Sequence, residues 1–153
     1  MASSRSVLDA WEACDKTDTL FVLVCCAFCW PIIPAVGLAY SGYSTRWNSV
    51  ASFYPALLVI TVCTIQWWAV GYTLAYGAGG GVFGGLQNAF HIGVMAEPVG
   101  TIPAILFSFF QLIFEATVCA IAVGGACERG RLIALVPFIF VSSGLILALM
   151  CLW

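Results

Sequence analysis

Three polar side chains interrupt an apolar stretch, residues 101–131, that is long enough to cross a lipid bilayer. Ser108, Gln111 and Glu115 are spaced i, i+3 and i+7, which places them on one face of a helix. An ionisable group near the centre of a spanning helix costs about 2.5–3.5 kcal/mol to insert, so it should face protein or a cavity. The spacing therefore predicts a helix packed inside a membrane bundle, with Glu115 as a buried polar group.

Cysteine is a second residue type that could do chemistry. The chain has eight cysteines, and Cys26-x-x-Cys29 has the spacing of metal ligands. A zinc site needs four converging ligands, however, and the single histidine, His91, lies in a different segment. Inside an apolar helix a cysteine behaves as a small hydrophobic residue. We therefore expect neither a metal site nor a cofactor.

The glycine-rich segment at residues 77–85 contains Gly79, Gly81 and Gly84 in the order G-x-G-x-x-G. This dinucleotide fingerprint requires a preceding β-strand, whereas here it follows an apolar helix, so we interpret it as a flexible loop. His91 lies farther along the same loop and is expected to be an ordinary solvated histidine, a pH-sensitive group being the alternative. No nucleophile–base pair or metal cluster indicates an enzyme.

The composition defines the elements that must position these residues. Of the 153 residues, 63% are hydrophobic and only 8% are charged, against roughly 25% charged residues in soluble domains. The net charge of −2 comes with no basic run, so we expect no nucleic-acid partner. After a polar tail at residues 1–18, four apolar segments could cross a bilayer: residues 19–41, 52–76, 103–126 and 132–153. The predicted fold is an all-α transmembrane bundle of four helices.

Two spans carry features that predict local structure. Pro31 and Pro34 predict a bend in the first span, and Gly37 allows a neighbouring helix to approach closely. The far end of the second span gathers side chains that favour the membrane–water interface: Gln66, Trp67, Trp68, Tyr72 and Tyr76.

Basic residues predict the orientation in the membrane. Arg46 lies in the first link, Arg129 and Arg131 lie in the third, and the long second link has no lysine or arginine. The positive-inside rule therefore places the first and third links in the cytoplasm. The glycine-rich link and both termini are then extracellular.

Four short blocks resemble the ammonium transporter (Amt/Mep/Rh) family, and its fungal members in particular. The first is Asp18-Thr19, and the second runs from Pro34 through Gly37 to Gly42. The third and fourth blocks contain these residues in the family's order and spacing: Gln66, Trp67, Gly71 and Tyr72, then Phe110, Gln111, Phe114, Gly124, Gly125, Glu128, Arg129, Gly130 and Arg131.

The resemblance implies the family's fold and function. That fold is a homotrimer in the plasma membrane whose protomers have about eleven helices in inverted repeats, each around its own pore. The implied substrate is ammonium, recruited as a cation at an aromatic-lined outer site and passed through a narrow apolar pore. By this resemblance Phe114 corresponds to the outer phenylalanine gate and Tyr40 to an aromatic residue near the inner pore.

Departures from the family pattern define the alternatives. Glu115 stands where the family usually has a small residue, and beyond Phe140 the pattern is lost, so Trp153 is not assigned a substrate role. The family's later helices, with an acidic residue and two pore histidines, have no counterpart here. We expect a truncated ammonium transporter homologue, and whether the chain is inactive alone stays open at this point. The alternatives are a four-span accessory subunit that assembles with full-length transporters, and an unrelated four-span protein.

Overall fold

The computed structural model describes residues 11–77, 85–94, 98–125 and 131–151, without the side chains of residues 132 and 146–151. Several positions singled out in the sequence lie outside these ranges: residues 1–10 of the tail, Gly79, Gly81, Gly84, Glu128, Arg129 and Trp153.

In the described part of the chain, four apolar helical segments form the bundle, as predicted. The first consists of α1 (Lys16–Cys29) and α2 (Ile32–Tyr43), and the second of α3 (Ser49–Gln66), a π-helical turn (Trp67–Gly71) and α4 (Tyr72–Tyr76). The third is α5 (Ala104–Gly124) and the fourth is α6 (Leu132–Cys151). Within the described residues the first three segments are long and apolar enough to cross a membrane, and α6 contains a shorter apolar stretch, Ile133–Leu145.

The first span is interrupted between α1 and α2, in the proline-containing stretch where the sequence predicts a bend. Pro31 has no N–H to donate to the carbonyl of Ala27, and Pro34 has none for the carbonyl of Trp30. Helical backbone hydrogen bonds are present before and after this point. Trp30 N donates to Cys26 O at 2.9 Å, and Ala35 N donates to Pro31 O at 3.0 Å. The break is therefore confined to two turn residues, Trp30 and Pro31.

A short hairpin precedes α5 and connects it to the start of α1. Strands β1 (Pro98–Val99) and β2 (Ile102–Pro103) pair antiparallel. Between them, Thr101 accepts from Asp15 N at 2.9 Å through its carbonyl and donates to Asp18 Oδ2 at 2.7 Å through its hydroxyl. The beginning of the first span and the end of the second link therefore lie on the same side of the bundle.

Close contacts at small residues hold the helices together. A β-carbon added at Gly37 on α2 would lie 2.7 Å from Ala56 Cβ on α3, so glycine at this position permits the predicted close approach. The buried cysteines Cys26, Cys63 and Cys119 carry free thiols. Cys26 packs as a small hydrophobic residue, as expected from the sequence.

Candidate functional site

A wide turn in the second span builds one wall of the site. The N–H of Tyr72 donates to the carbonyl of Trp67, five residues earlier rather than four, which defines a π-helical turn. Such turns are rare and occur frequently at functional sites. Gln66, Trp67 and Tyr72 are buried in the bundle. Trp67 lies against Ser108 on α5 and Gln66 against Phe140 on α6. The position of this end near the membrane–water interface stays a prediction.

His91 joins the second link to this turn and to α5. Its Nδ1 lies 3.2 Å from the carbonyl oxygen of Trp68, and its Nε2 lies 2.7 Å from Ser108 Oγ. The indole Nε1 of Trp67 donates to the same hydroxyl at 2.9 Å, and the ring of His91 stacks on Tyr72 with centroids 5.0 Å apart. A solvated loop histidine was expected, so that interpretation was wrong.

The partners of His91 fix its neutral tautomer. A carbonyl oxygen only accepts, so Nδ1 carries the proton that is donated to Trp68 O. In the neutral ring Nε2 is then the acceptor, and the Ser108 hydroxyl donates to it while accepting from Trp67. Every donor in this chain of hydrogen bonds has an acceptor, so the cluster is internally satisfied.

The loop adopts an unusual backbone to place His91. Phe90 and His91 have φ angles of 56° and 57°, the left-handed region that costs a residue with a β-carbon about 1–2 kcal/mol. Contacts in the same loop offset this cost. The ring of Phe90 packs edge-on against that of Trp68 with centroids 5.1 Å apart. Thr73 Oγ1 donates to Gly85 O at 2.6 Å and accepts from Asn88 N at 3.1 Å. Strain of this kind concentrates at functional sites.

The polar stripe on α5 lies inside the bundle, as its spacing predicted. Ser108 and Glu115 are buried and Gln111 is half-buried. Glu115 Oε1 accepts a hydrogen bond from Ser143 Oγ on α6, whereas Oε2 is buried and has no partner among the described residues. Gln66 is similar, because its Nε2 donates to Phe140 O at 3.2 Å and its Oε1 has no partner among them.

One side of α5 is left open by the other described helices. This open face consists of Phe110, Phe114, Val118 and Ile121, which follow one another at intervals of three or four residues. Phe114 is 47% exposed, and its ring meets that of Phe110 edge-on with centroids 4.9 Å apart. The hydroxyl of Tyr40 on α2 donates to Ile121 O at 3.2 Å. Phe114 and Tyr40 therefore border the same face, about 10 Å apart along the helix axis.

The remaining motif positions that the structure describes lie within the helical segments. Gly71 ends the π-helical turn, Gly42 lies in the last turn of α2 with open space around it, and Pro34 lies in its first turn. Among the described residues no three His, Cys, Asp or Glu side chains converge in a way that could hold a metal ion.

Known proteins resemble this chain in sequence and in fold. Residues 20–153 match the Ammonium Transporter Family. The chain is 34% identical to "Ammonium transporter MEP2" of Saccharomyces cerevisiae over 131 residues, which are 82% of this chain and 26% of that protein. It is also 34% identical to "Ammonium transporter" of Bacillus subtilis, covering 79% of this chain and 31% of that protein.

Solved structures of ammonium transporters have a similar fold. The crystal structure of Candida albicans Mep2 superposes with a TM-score of 0.84 at 31% identity, covering 92% of this chain and 32% of that one. The chain therefore spans about a quarter to a third of the length of the relatives it matches. Since the family match extends over most of the sequence, this chain belongs to the Ammonium Transporter Family.

Proposed function

We propose that this chain forms the first part of an ammonium-conducting pore, with Phe114 as its outer aromatic gate and Tyr40 toward its inner end. The observation that carries the proposal is the open face of α5, because it presents Phe110 and Phe114 as an aromatic pair and meets Tyr40 farther along. The family's fold would complete a pore against this face. The relatives' printed names, which specify ammonium, support the choice of substrate.

The chemistry of these groups suits a small cation. An aromatic ring face attracts a cation that has lost part of its water shell. A narrow apolar constriction then excludes ions that keep their hydration shell. The rest of the open face is apolar, with Val118 about one turn and Ile121 about two turns after Phe114. These residues would line the passage after the gate.

The placement in the cell is part of the same proposal. The chain would lie in the plasma membrane with the glycine-rich link and the N-terminal tail outside and Arg46 inside. The contact of Thr101 with Asp15 and Asp18 supports a common side for the tail and the second link. Assembly as a homotrimer is the family's mode and is proposed on that ground alone.

A second candidate is an accessory membrane subunit that assembles with full-length transporters. The open face favours it as well, because a helix of a partner chain could cover Phe114, Val118 and Ile121. Uptake of methylammonium by cells without their own transporters separates the two functions. Uptake by the chain alone supports the pore; a change in the uptake of a co-expressed full-length relative supports the subunit. No effect in either assay would contradict both.

A pair of substitutions tests the gate in whichever assay responds. If this ring recruits the cation, Phe114→Ala should reduce at least tenfold the methylammonium uptake by the chain, or the change that the chain causes in the uptake of a co-expressed relative. Phe109→Ala is the matched control, because Phe109 is also exposed, at 42%, but lies on another side of α5 and stacks on Trp30. Equal effects of the two substitutions would contradict a specific role for Phe114.

A further inference from the structure

Glu115 lies where three helices of the bundle meet. Its side chain is 0% exposed, and it faces Cys63 on α3 and Ser143 on α6. The described helices enclose it without help from any further segment. This position differs from the open face, because Glu115 points into the bundle while its neighbour Phe114 points out.

Two buried acceptor oxygens near Glu115 have no hydrogen-bond donor among the described residues. Glu115 Oε1 accepts from Ser143, but Oε2 is buried without a partner among the described residues, and so is Gln66 Oε1. Helix α6 brings the two side chains to neighbouring positions, because Gln66 bonds the carbonyl of Phe140, three residues before Ser143. A buried acceptor without a donor is destabilising, and more so if it is charged.

The groups that face Glu115 offer no positive charge. The titratable ones are the thiols of Cys63 on α3 and Cys119 on α5, and Ser143 contributes a neutral hydroxyl from α6. No lysine, arginine or histidine of the described ranges contacts the carboxyl group. A carboxylate here would be an isolated charge away from water, an arrangement that buried groups avoid by becoming neutral.

We propose that Glu115 is a proton-binding site inside the bundle, in which the carboxyl group carries a proton on Oε2 while Oε1 accepts from Ser143. The proton is the smallest cation, so it needs no cavity beyond the side chain itself. It removes the isolated charge and turns one of the two unpartnered acceptors into a donor. The proton comes from a hydronium ion or a buffer acid, which becomes water or the conjugate base, and no other bond changes.

Infrared spectroscopy of the full chain in lipid nanodiscs at pH 6 tests the site. An ordinary glutamate titrates near pH 4.3, so at pH 6 solvated carboxyl groups are almost entirely ionised. We expect a protonated-carboxyl C=O band that shifts in heavy water and is lost in Glu115→Gln. Glu12→Gln is the matched control, because Glu12 is exposed, and it should leave the band unchanged.

Ser143→Ala provides a second readout if Glu115→Gln does not fold. Removing the hydroxyl takes away the hydrogen bond to Oε1, so the band should move to higher frequency and keep its intensity. Absence of a protonated-carboxyl band from the folded wild-type chain at pH 6 would overturn the proposal. A band that is unaffected by both Glu115→Gln and Ser143→Ala would overturn it as well.

Discussion

The ring of Tyr40 on α2 occupies the space that a side chain at Gly124 on α5 would need. A β-carbon built at Gly124 would overlap ring atoms of Tyr40, whose hydroxyl donates to Ile121 O one turn earlier. Glycine at this position therefore lets α2 and α5 meet at the end where both helices finish.

Substitution Gly124→Ala should destabilise the bundle. Overpacking a tight contact typically costs about 1–3 kcal/mol, and here it would displace the Tyr40 ring from α5. Thermal unfolding in detergent micelles measures the effect as a lower midpoint. The control is Gly125→Ala, whose β-carbon would have Ala122 O, at 3.8 Å, as its nearest neighbour. Equal midpoints for the two variants would contradict the Tyr40 contact.

Gly37 makes the corresponding contact between α2 and α3. Its added β-carbon would lie 2.7 Å from Ala56 Cβ and 3.1 Å from the Phe53 ring, so Gly37→Ala should also lower stability by about 1–3 kcal/mol. Gly42→Ala, in the same helix with nothing within 4 Å, should gain up to about 1 kcal/mol from helix propensity. The same unfolding measurement should therefore show a lower midpoint for Gly37→Ala and a higher one for Gly42→Ala. A loss of stability in both variants would contradict the difference between the two positions.

His91→Ala should loosen the loop at residues 85–94. The variant loses the hydrogen bonds to Ser108 and Trp68 O and the stack on Tyr72, which together offset the left-handed backbone. Amide hydrogen exchange followed by mass spectrometry should be at least tenfold faster in this loop. Gln87→Ala changes an exposed side chain of the same loop and should leave exchange unchanged. Unaltered exchange in His91→Ala would show that the loop does not depend on the histidine.

Truncation of two neighbouring residues on α5 should lower stability by different amounts. Ile113 is 2% exposed, so Ile113→Ala leaves a cavity that costs about 2–5 kcal/mol. Phe114 is 47% exposed on the open face, so Phe114→Ala should cost less than Ile113→Ala although it removes a larger side chain. Equilibrium unfolding of the two variants in mixed micelles gives the comparison. A larger loss for Phe114→Ala would mean that the open face is packed.

The sequence predicted the bundle well because its main signals are local. Apolar length defined the spans, the missing N–H groups of Pro31 and Pro34 predicted the break, and the spacing of Ser108 and Glu115 predicted their burial. Each of these inferences depends on one helix and its period. None requires knowledge of how two distant segments meet.

The surroundings of His91 depend on such a meeting and were missed. Loop composition suggested a solvated histidine, whereas the backbone folds back so that the ring reaches Ser108 and Tyr72. Ser108 offered a usable signal, since a hydroxyl inside a membrane bundle requires partners, and His91 was a candidate. The burial of Trp67 was missed for a related reason, because a π-helical turn leaves no clear mark in a continuous apolar run.

The π-helical turn also sets the angular phase of everything that follows it in the second span. One additional residue in a turn offsets all later side chains by about 100° around the axis relative to an uninterrupted α-helix. With that offset Tyr76 meets Phe107 at 5.1 Å and Tyr72 meets His91. Regularising the turn would rotate both tyrosines away from α5 and the loop, and His91 would lose the ring on which it rests.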